Sequence, residues 1–237
     1  MANPYFSFKQ FTVFHDKCAM KVGTDGVLLG AWAKTDTAKT ILDIGTGSGL
    51  IALMLAQRNQ DARITAIDID KNAVEQAKEN FLQSPFNNRI ECYFSSLQEL
   101  AESSLLRYDT IISNPPFFKH SLKSLSESRT LARHTDSLTA DELIKLSSRL
   151  LSSKGVLSVI YPYEYKQSLL SLATTHNLYA SRITNVYPTP QSSPKRILLE
   201  LNKENIPLIE DDLIIEQLRH TYSDEFTSLV KDFYLNL

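Results

Sequence analysis

Apolar, β-branched runs alternate along this chain with stretches of helical spacing. KTILDIG, residues 39–45, is a near-continuous apolar run, the mark of a strand covered on both faces. SGLIALMLAQR, 48–58, carries its apolar residues at helical spacing with no breaker. RITAIDI (63–69) predicts a second strand, and KNAVEQAKENFLQ (71–83) a second helix with Asp70 as its N-cap. RIECYFS (89–95) and YDTIIS (108–113) predict two more strands. LTADELIKLSSRLLS (138–152) reads as a helix that stops near Gly155, GVLSVIYP (155–162) as a fifth strand, and KQSLLSLATTH (166–176) as another helix. YASRITNVYP (179–188) and KRILLELNK (195–203) are two strands joined by TPQSSP.

Strand–helix alternation calls for a parallel sheet with helices on both faces. The last pair breaks the rule. Its connection is too short for a parallel crossover, which takes a dozen or more residues, so those two strands are expected to be antiparallel. Upstream, GTDG (23–26) opens an apolar helix, VLLGAWA, with Asp25 as a candidate N-cap or cofactor neighbour. Downstream, LIIEQLRHTY and FTSLVKDFYLNL read as amphipathic helices packed on the body. KHSLKSLSESRTLARHT (119–135) is Ser-rich and basic, and reads as a long loop, either a functional lid or a disordered segment. The whole is expected to be one domain, 1–237, with an N-terminal extension to residue 38 and an acidic tail over 203–237.

The chemistry begins at the first strand–helix turn, DIGTGSG (43–49). Gly45, Gly47 and Gly49 let the backbone turn tightly and approach a ligand, at a helix start whose free amides suit polar groups. Asp68 ends the next strand, where a carboxylate can accept both hydroxyls of a ribose. The plainer reading is an ordinary turn with a solvated strand end, but glycines and acid together favour a nucleoside ligand. The dinucleotide pattern GxGxxG would need glycine at position 50, which is Leu. Asp43 either sits near the ligand or caps the turn itself.

The second unusual stretch is SNPPFF, 113–118. It ends the fourth strand beside the point where the strand order of an open α/β sheet reverses, the usual place for a reactive site. A polar side chain, a rigid backbone and a ring can clamp a flat ligand bearing an amino group.

Composition narrows the setting. The chain has 237 residues, 43% hydrophobic and 22% charged, an ordinary globular balance. No apolar run approaches the roughly 18–20 residues that span a bilayer. MANPYFSFKQF lacks a signal-peptide core, so a cytoplasmic location is expected, with no membrane association. Cys18 and Cys92 lie far apart and read as small buried hydrophobes, and nothing shows metal-ligand spacing. The last 35 residues hold eight acids and three bases, against 27 and 25 in the whole chain. The remainder is therefore slightly basic, compatible with a nucleic-acid partner.

With these residues in view, the chain resembles class I methyltransferases that carry an (Asn/Asp/Ser)-Pro-Pro-(Tyr/Phe/Trp) motif and methylate planar nitrogens. Within that group it closely resembles the bacterial tRNA1(Val) adenine-N6-methyltransferases, on FSFKQFTV (6–13), MKVGTDGVLLGAW (20–32), DIGTGSGLIALMLAQR (43–58), AIDIDKNAVEQA (66–77), NPPFF (114–118) and SPKRILLEL (193–201). The resemblance implies a Rossmann-like fold, with a mostly parallel seven-stranded sheet and one antiparallel hairpin strand. It implies S-adenosyl-L-methionine as cofactor, held by Asp43, Gly45, Gly47, Gly49, Asp68, Ile69 and Asn114. Many relatives place an adenine-binding Asp where this chain has SSLQEL, so Ser96 and the Leu97 backbone take that position here.

The implied substrate is the tRNA anticodon loop, at the adenine 3′ of the anticodon. An adenine amino nitrogen is a poor nucleophile because its lone pair is delocalised into the ring. The Asn114 side-chain oxygen and the Pro115 carbonyl can each accept one amino hydrogen, while Phe117 stacks on the base. Arg129, Arg133, Lys195 and Arg196 are the candidates for holding the RNA backbone, with Lys119 and Lys123 beside them. Three alternatives stay open at this point. They are glutamine-N5 methylation of a protein, methylation of an rRNA base, and a non-catalytic RNA-binding module.

Overall fold

The computed structural model describes residues 3–18, 21–116 and 138–237. It opens with a hairpin of β1 (Tyr5–Ser7) and β2 (Thr12–Phe14), followed by α1 (Thr24–Trp32). Strands and helices then alternate: β3 (Thr40–Ile44), α2 (Leu50–Arg58), β4 (Arg63–Asp68), α3 (Lys71–Leu82), β5 (Ile90–Phe94), α4 (Leu97–Ser103) and β6 (Tyr108–Ser113). After the undescribed residues come α5 (Ala140–Leu150), β7 (Leu151–Pro162), α6 (Lys166–Thr175), β8 (Tyr179–Tyr187) and β9 (Arg196–Asn202). The chain ends with β10 (Ile209–Ile214), a small hairpin of β11 (Glu216–Leu218) and β12 (Thr221–Tyr222), and α7 (Asp224–Val230).

The central sheet runs β10-β8-β9-β7-β6-β3-β4-β5. β9 is antiparallel to both neighbours, and every other pairing in the sheet is parallel. The expected antiparallel pair is thus β8 and β9. β3 lies between β4 and β6, so the strand order reverses at its end.

Among the described residues the sheet has eight strands rather than the expected seven, and the tail supplies the extra one. LIIEQLRHTY does not form a helix: Ile209–Ile214 is a strand parallel to β8, and β11 and β12 take up most of the rest. Polar side chains on β8 receive the tail's acids. Thr184 donates to Asp211, and Asn185 to Glu210 and Asp212. With its carboxylates satisfied this way, an acid-rich segment can join a sheet, and its charges blunt the exposed edge. The last segment is helical only over α7, whose Phe226 and Val230 are buried.

Two apolar clusters sandwich the sheet. One joins α1, α2, α3 and α7 to Ile41, Ile64 and Ile112, and the other joins α5 and α6 to Leu42, Ile111 and Leu199. α1 is buried from Gly26 to Trp32. The Trp32 indole donates to Thr184 at 2.8 Å, and the Arg182 guanidinium lies 3.7 Å from the Trp32 ring centre, so α1 is fixed across β8. Among the described residues, no helix is long and apolar enough to cross a membrane.

Candidate active site

Three strand ends stand level at one rim of the sheet. Ile44 pairs with Ile67 on one side and Ser113 on the other. Gly45 therefore has Asp68 beside it in one direction and Asn114 in the other, each about one strand spacing of 4.8 Å away. One strand further out, Asp68 pairs with Phe94, and the Ser95 amide donates to the Asp68 carbonyl at 3.1 Å. From Ser95 to Asn114 the rim crosses four strand ends, roughly 15 Å, a span suited to an elongated nucleoside ligand whose far end meets Asn114.

The glycine turn is anchored on β4: the Gly45 and Thr46 amides donate to the Ile67 carbonyl at 2.9 and 3.0 Å. Gly45 (φ +68°) and Gly47 (φ +55°) lie in the left-handed region, which a side chain disfavours. A Cβ on either would meet nothing within 4 Å, so backbone shape demands glycine there and the outer side of the turn stays open to a ligand. Gly49 differs. A Cβ there would sit 2.4 Å from Phe81 Cε1, so its bareness lets α2 start against α3.

Asp43 lies fully buried beneath the turn. Thr46 Oγ1 donates to its Oδ2 at 2.7 Å, while Oδ1 has no hydrogen-bond partner among the described residues. Burial pushes this carboxyl up to about 7. The Thr46 hydroxyl opposes the shift, the negative Asp68 adds to it, and the Ala52 amide opposes it. Asp43 thus braces the turn through a hydroxyl rather than capping the loop amides.

Asp68 accepts from the Gly47 amide at 2.8 Å with Oδ2 and from the Asp70 amide at 2.9 Å with Oδ1. A carboxylate offers about four acceptor positions, so lone pairs remain for ribose hydroxyls. Ile69 follows it with 52% of its surface exposed, an apolar face at a strand end where an adenine can pack. Ser96 caps α4: its hydroxyl accepts from the Glu99 amide at 3.1 Å, and Glu99 returns a contact to the Ser96 amide at 2.8 Å. The Leu97 side chain is buried, which leaves its first-turn backbone as the group that can face a ligand. An open glycine turn, a carboxylate at its flank and an exposed apolar strand end together fit an adenosyl cofactor.

Sequence reasoning passed over Asn80. It is wholly buried on α3, yet its amide donates to the Phe14 and Ser48 carbonyls at 2.8 Å each and its oxygen accepts from the Phe14 amide at 3.0 Å. One side chain thus ties the N-terminal segment to the glycine turn. The same segment continues past Asp68 and Asp70, whose charges add to burial in pushing the Cys18 thiol up to about 11. The only sequence signal was an asparagine on the apolar side of an amphipathic helix.

At the other side of the turn, Asn114 is half-buried, Pro115 buried and Pro116 exposed. Phe117, Arg129, Arg133 and the 119–135 loop lie outside the described residues. Tyr161 is buried in the strand beside, and burial pushes its phenol up. Lys195 and Arg196 open β9 on the same rim, where Arg196 faces Pro162 of β7. Arg196 Nε donates to Asp25 Oδ2 at 2.8 Å. Asp25 therefore pairs with Arg196 instead of capping α1, whose N-cap is Gly23 with no side-chain cap. Among the described residues, no group of His, Cys, Asp and Glu is placed to hold a metal ion.

A sheet that reverses order at a glycine turn, with an acid at the next strand end and Asn-Pro-Pro after the fourth, is the architecture of a class I methyltransferase. The family model for the methyltransferase small domain matches residues 12–180. The chain is 52% identical to the tRNA1(Val) (adenine(37)-N6)-methyltransferase of Parabacteroides distasonis, over the full length of both. Its fold also superposes with a TM-score of 0.68 on a predicted O-methyltransferase from Agrobacterium tumefaciens, over 90% of this chain and all of that one at 21% identity. A neocarzinostatin-pathway O-methyltransferase with S-adenosylmethionine bound superposes at 0.53, over 73% of this chain and 51% of that one at 16% identity. The chain belongs to the tRNA1(Val) (adenine(37)-N6)-methyltransferase family. It is a methyltransferase, and its cofactor is S-adenosylmethionine.

Proposed function

We propose that this chain methylates N6 of an adenine in a tRNA anticodon loop, at the nucleotide 3′ of the anticodon. The observation that carries the reading is the register of Ile44 with Ser113, which sets the glycine turn and Asn114 side by side. When bound, S-adenosylmethionine supplies an electrophilic methyl group on a sulfonium. The chain's own residues prepare the acceptor. Asn114 Oδ1 and the Pro115 carbonyl accept the two amino hydrogens, which pulls the nitrogen out of conjugation with the ring and directs its lone pair toward the donor side. Pro115 and Pro116 hold that carbonyl still, so no reorganisation is needed as charge develops. Methyl transfer leaves the nitrogen positively charged and acidic, so its proton leaves to water and no paired histidine base is required.

On the cofactor side, Gly45 and Gly47 admit the ligand backbone closely, Asp68 takes the ribose hydroxyls and Ile69 packs on the adenine ring. Ser96 and the Leu97 amide border the far end of that ring, and Asp43 acts from beneath by fixing Thr46. Phe117 stacks on the target base, while Arg129, Arg133, Lys195 and Arg196 hold the RNA backbone. A nucleotide in a loop can be splayed into such a site without melting a helix. The relatives' names support this substrate over a protein glutamine or an rRNA base. Labelled methyl transfer to total tRNA, rRNA and release factors separates the readings: label is expected in tRNA alone, as N6-methyladenosine. Asn114→Ala should abolish most of it while cofactor affinity falls far less than turnover. Label in release factors or rRNA, or an Asn114→Ala enzyme with near-full turnover, overturns the reading.

A further inference from the structure

A pocket of about 350 Å³ opens beside the clamp, between the start of α1, the end of β8 and the start of β9. Its floor is apolar: Leu28 and Val186 are buried, and Ile215 is half-buried. Thr24, Asp25, Lys195 and Arg196 form its polar edge, with Thr24 and Lys195 exposed. That volume falls at the small end of ligand pockets, room for one flat group rather than a long one.

Its place in the fold points to what fills it. Arg196 pairs across the ladders with Pro162 of β7 and Val186 of β8. β7 in turn pairs with β6, Ser113 opposite Val159. The pocket mouth thus lies two strands across from Asn114 and two residues further along them, roughly 12 Å away on the same rim. That is neighbour distance for a polynucleotide whose target base sits at the clamp. The edge carries two cations and one acid, and that acid already holds Arg196 Nε at 2.8 Å, which fixes the guanidinium at the mouth. Cations at the rim suit phosphate, and an apolar floor suits the face of any base.

Resting on the RNA reading above, we propose that this pocket receives the nucleobase next to the methylated adenine, with Lys195 and Arg196 on the adjoining phosphate. A target base drawn out of a loop must leave its neighbour unstacked, and the apolar floor replaces the lost stacking partner. The floor offers shape without hydrogen-bond readout, so the subsite takes any base and discriminates only against its absence.

The test uses an anticodon stem-loop RNA in three forms: intact, abasic at the 5′ neighbour of the target, and abasic at the 3′ neighbour. Methyl transfer is measured with the parent enzyme and with Ile215→Trp, which fills the pocket. One abasic RNA should raise KM for RNA about tenfold with the parent enzyme, kcat changing little, the size of one lost stacking contact. Exchanging that base for another should leave KM near the intact value. In Ile215→Trp the intact RNA should already show the raised KM and the abasic lesion should add nothing, with S-adenosylmethionine affinity by calorimetry as in the parent. Two abasic RNAs that behave like the intact one would overturn the subsite, as would an abasic penalty equally large in Ile215→Trp. If that variant does not fold, the parent enzyme's abasic pair decides alone. No methylation of the intact RNA would sink the proposed activity, whereas good methylation with indifference to both lesions sinks only the pocket.

Discussion

The Ser113 hydroxyl donates to the Ile44 carbonyl at 2.9 Å, within the buried interior. Ser113 precedes Asn114, and Ile44 precedes Gly45. One side-chain hydrogen bond therefore joins the strand end that carries the proposed acceptor clamp to the one that carries the glycine turn. Ser113→Ala removes it where water cannot substitute. Unfolding free energy should drop by about 1 kcal/mol. Single-turnover methyl transfer should fall further than that loss alone implies, because small misplacements of reacting groups are costly. Cofactor affinity by calorimetry should hold. Unchanged turnover in a destabilised Ser113→Ala would show that the tie serves folding only.

Much of the sheet was legible because its strands are buried on both faces and read as apolar runs, as in TILDI and TIIS. What was not legible came from partners distant in sequence. β10 was hidden because Glu210, Asp211 and Asp212 look like solvated acids of the tail until Thr184 and Asn185 on β8 receive them. β1 and β2 are three residues each, too short for a pattern. At the site, the glycine turn announced itself, since three left-handed positions need three glycines. Asn80, Ser113 and the Asp25–Arg196 pair did not, because a single polar residue in a helix or strand carries no period.

Asp68 meets both the Gly47 amide and the Asp70 amide. Asp68→Ala removes the proposed charged acceptor for the ribose and also loosens the turn, so S-adenosylmethionine binding should weaken by at least about 1.5–3 kcal/mol. Asp68→Asn keeps one carbonyl oxygen for the turn and should bind with intermediate affinity. Titration calorimetry on the two variants checks the order. Equal affinities for parent and Asp68→Ala would remove the ribose role.

Asp43 sets a pH dependence with a definite sign. An aspartate in an unfolded chain titrates near about 3.9, whereas burial holds this one up to about 7. Between those values the folded protein holds a proton that the unfolded chain has released. The group's contribution to stability is therefore fully present below about pH 4 and is lost as pH rises toward 7, by up to about 1.4 kcal/mol per unit. Asp43→Asn does not titrate. Its denaturant-unfolding free energy, taken relative to the parent, should rise steadily across that window and level off above it. A flat difference would mean that Asp43 is ionised throughout.

The proposed RNA grip yields a prediction about salt. Lys195 is exposed at the start of β9, and Arg196 is held beside it by Asp25. Each phosphate that a cation neutralises releases condensed counterions, and lowers the slope of log affinity against log salt by roughly 0.7–0.9 when it is removed. Lys195→Ala should therefore take one such step from the tRNA slope, and Lys195→Ala with Arg196→Ala about 1.4–1.8 together. Asp25→Asn is the informative control. It withdraws the neighbouring negative charge and keeps the guanidinium, so tRNA affinity should rise at low salt while the slope does not fall. Filter binding across a salt series measures all three variants, with cofactor affinity of Lys195→Ala as the check on folding. An unchanged slope in the double variant would place the RNA path away from β9, and the segment holding Lys9 and Lys21 would be the next surface to test.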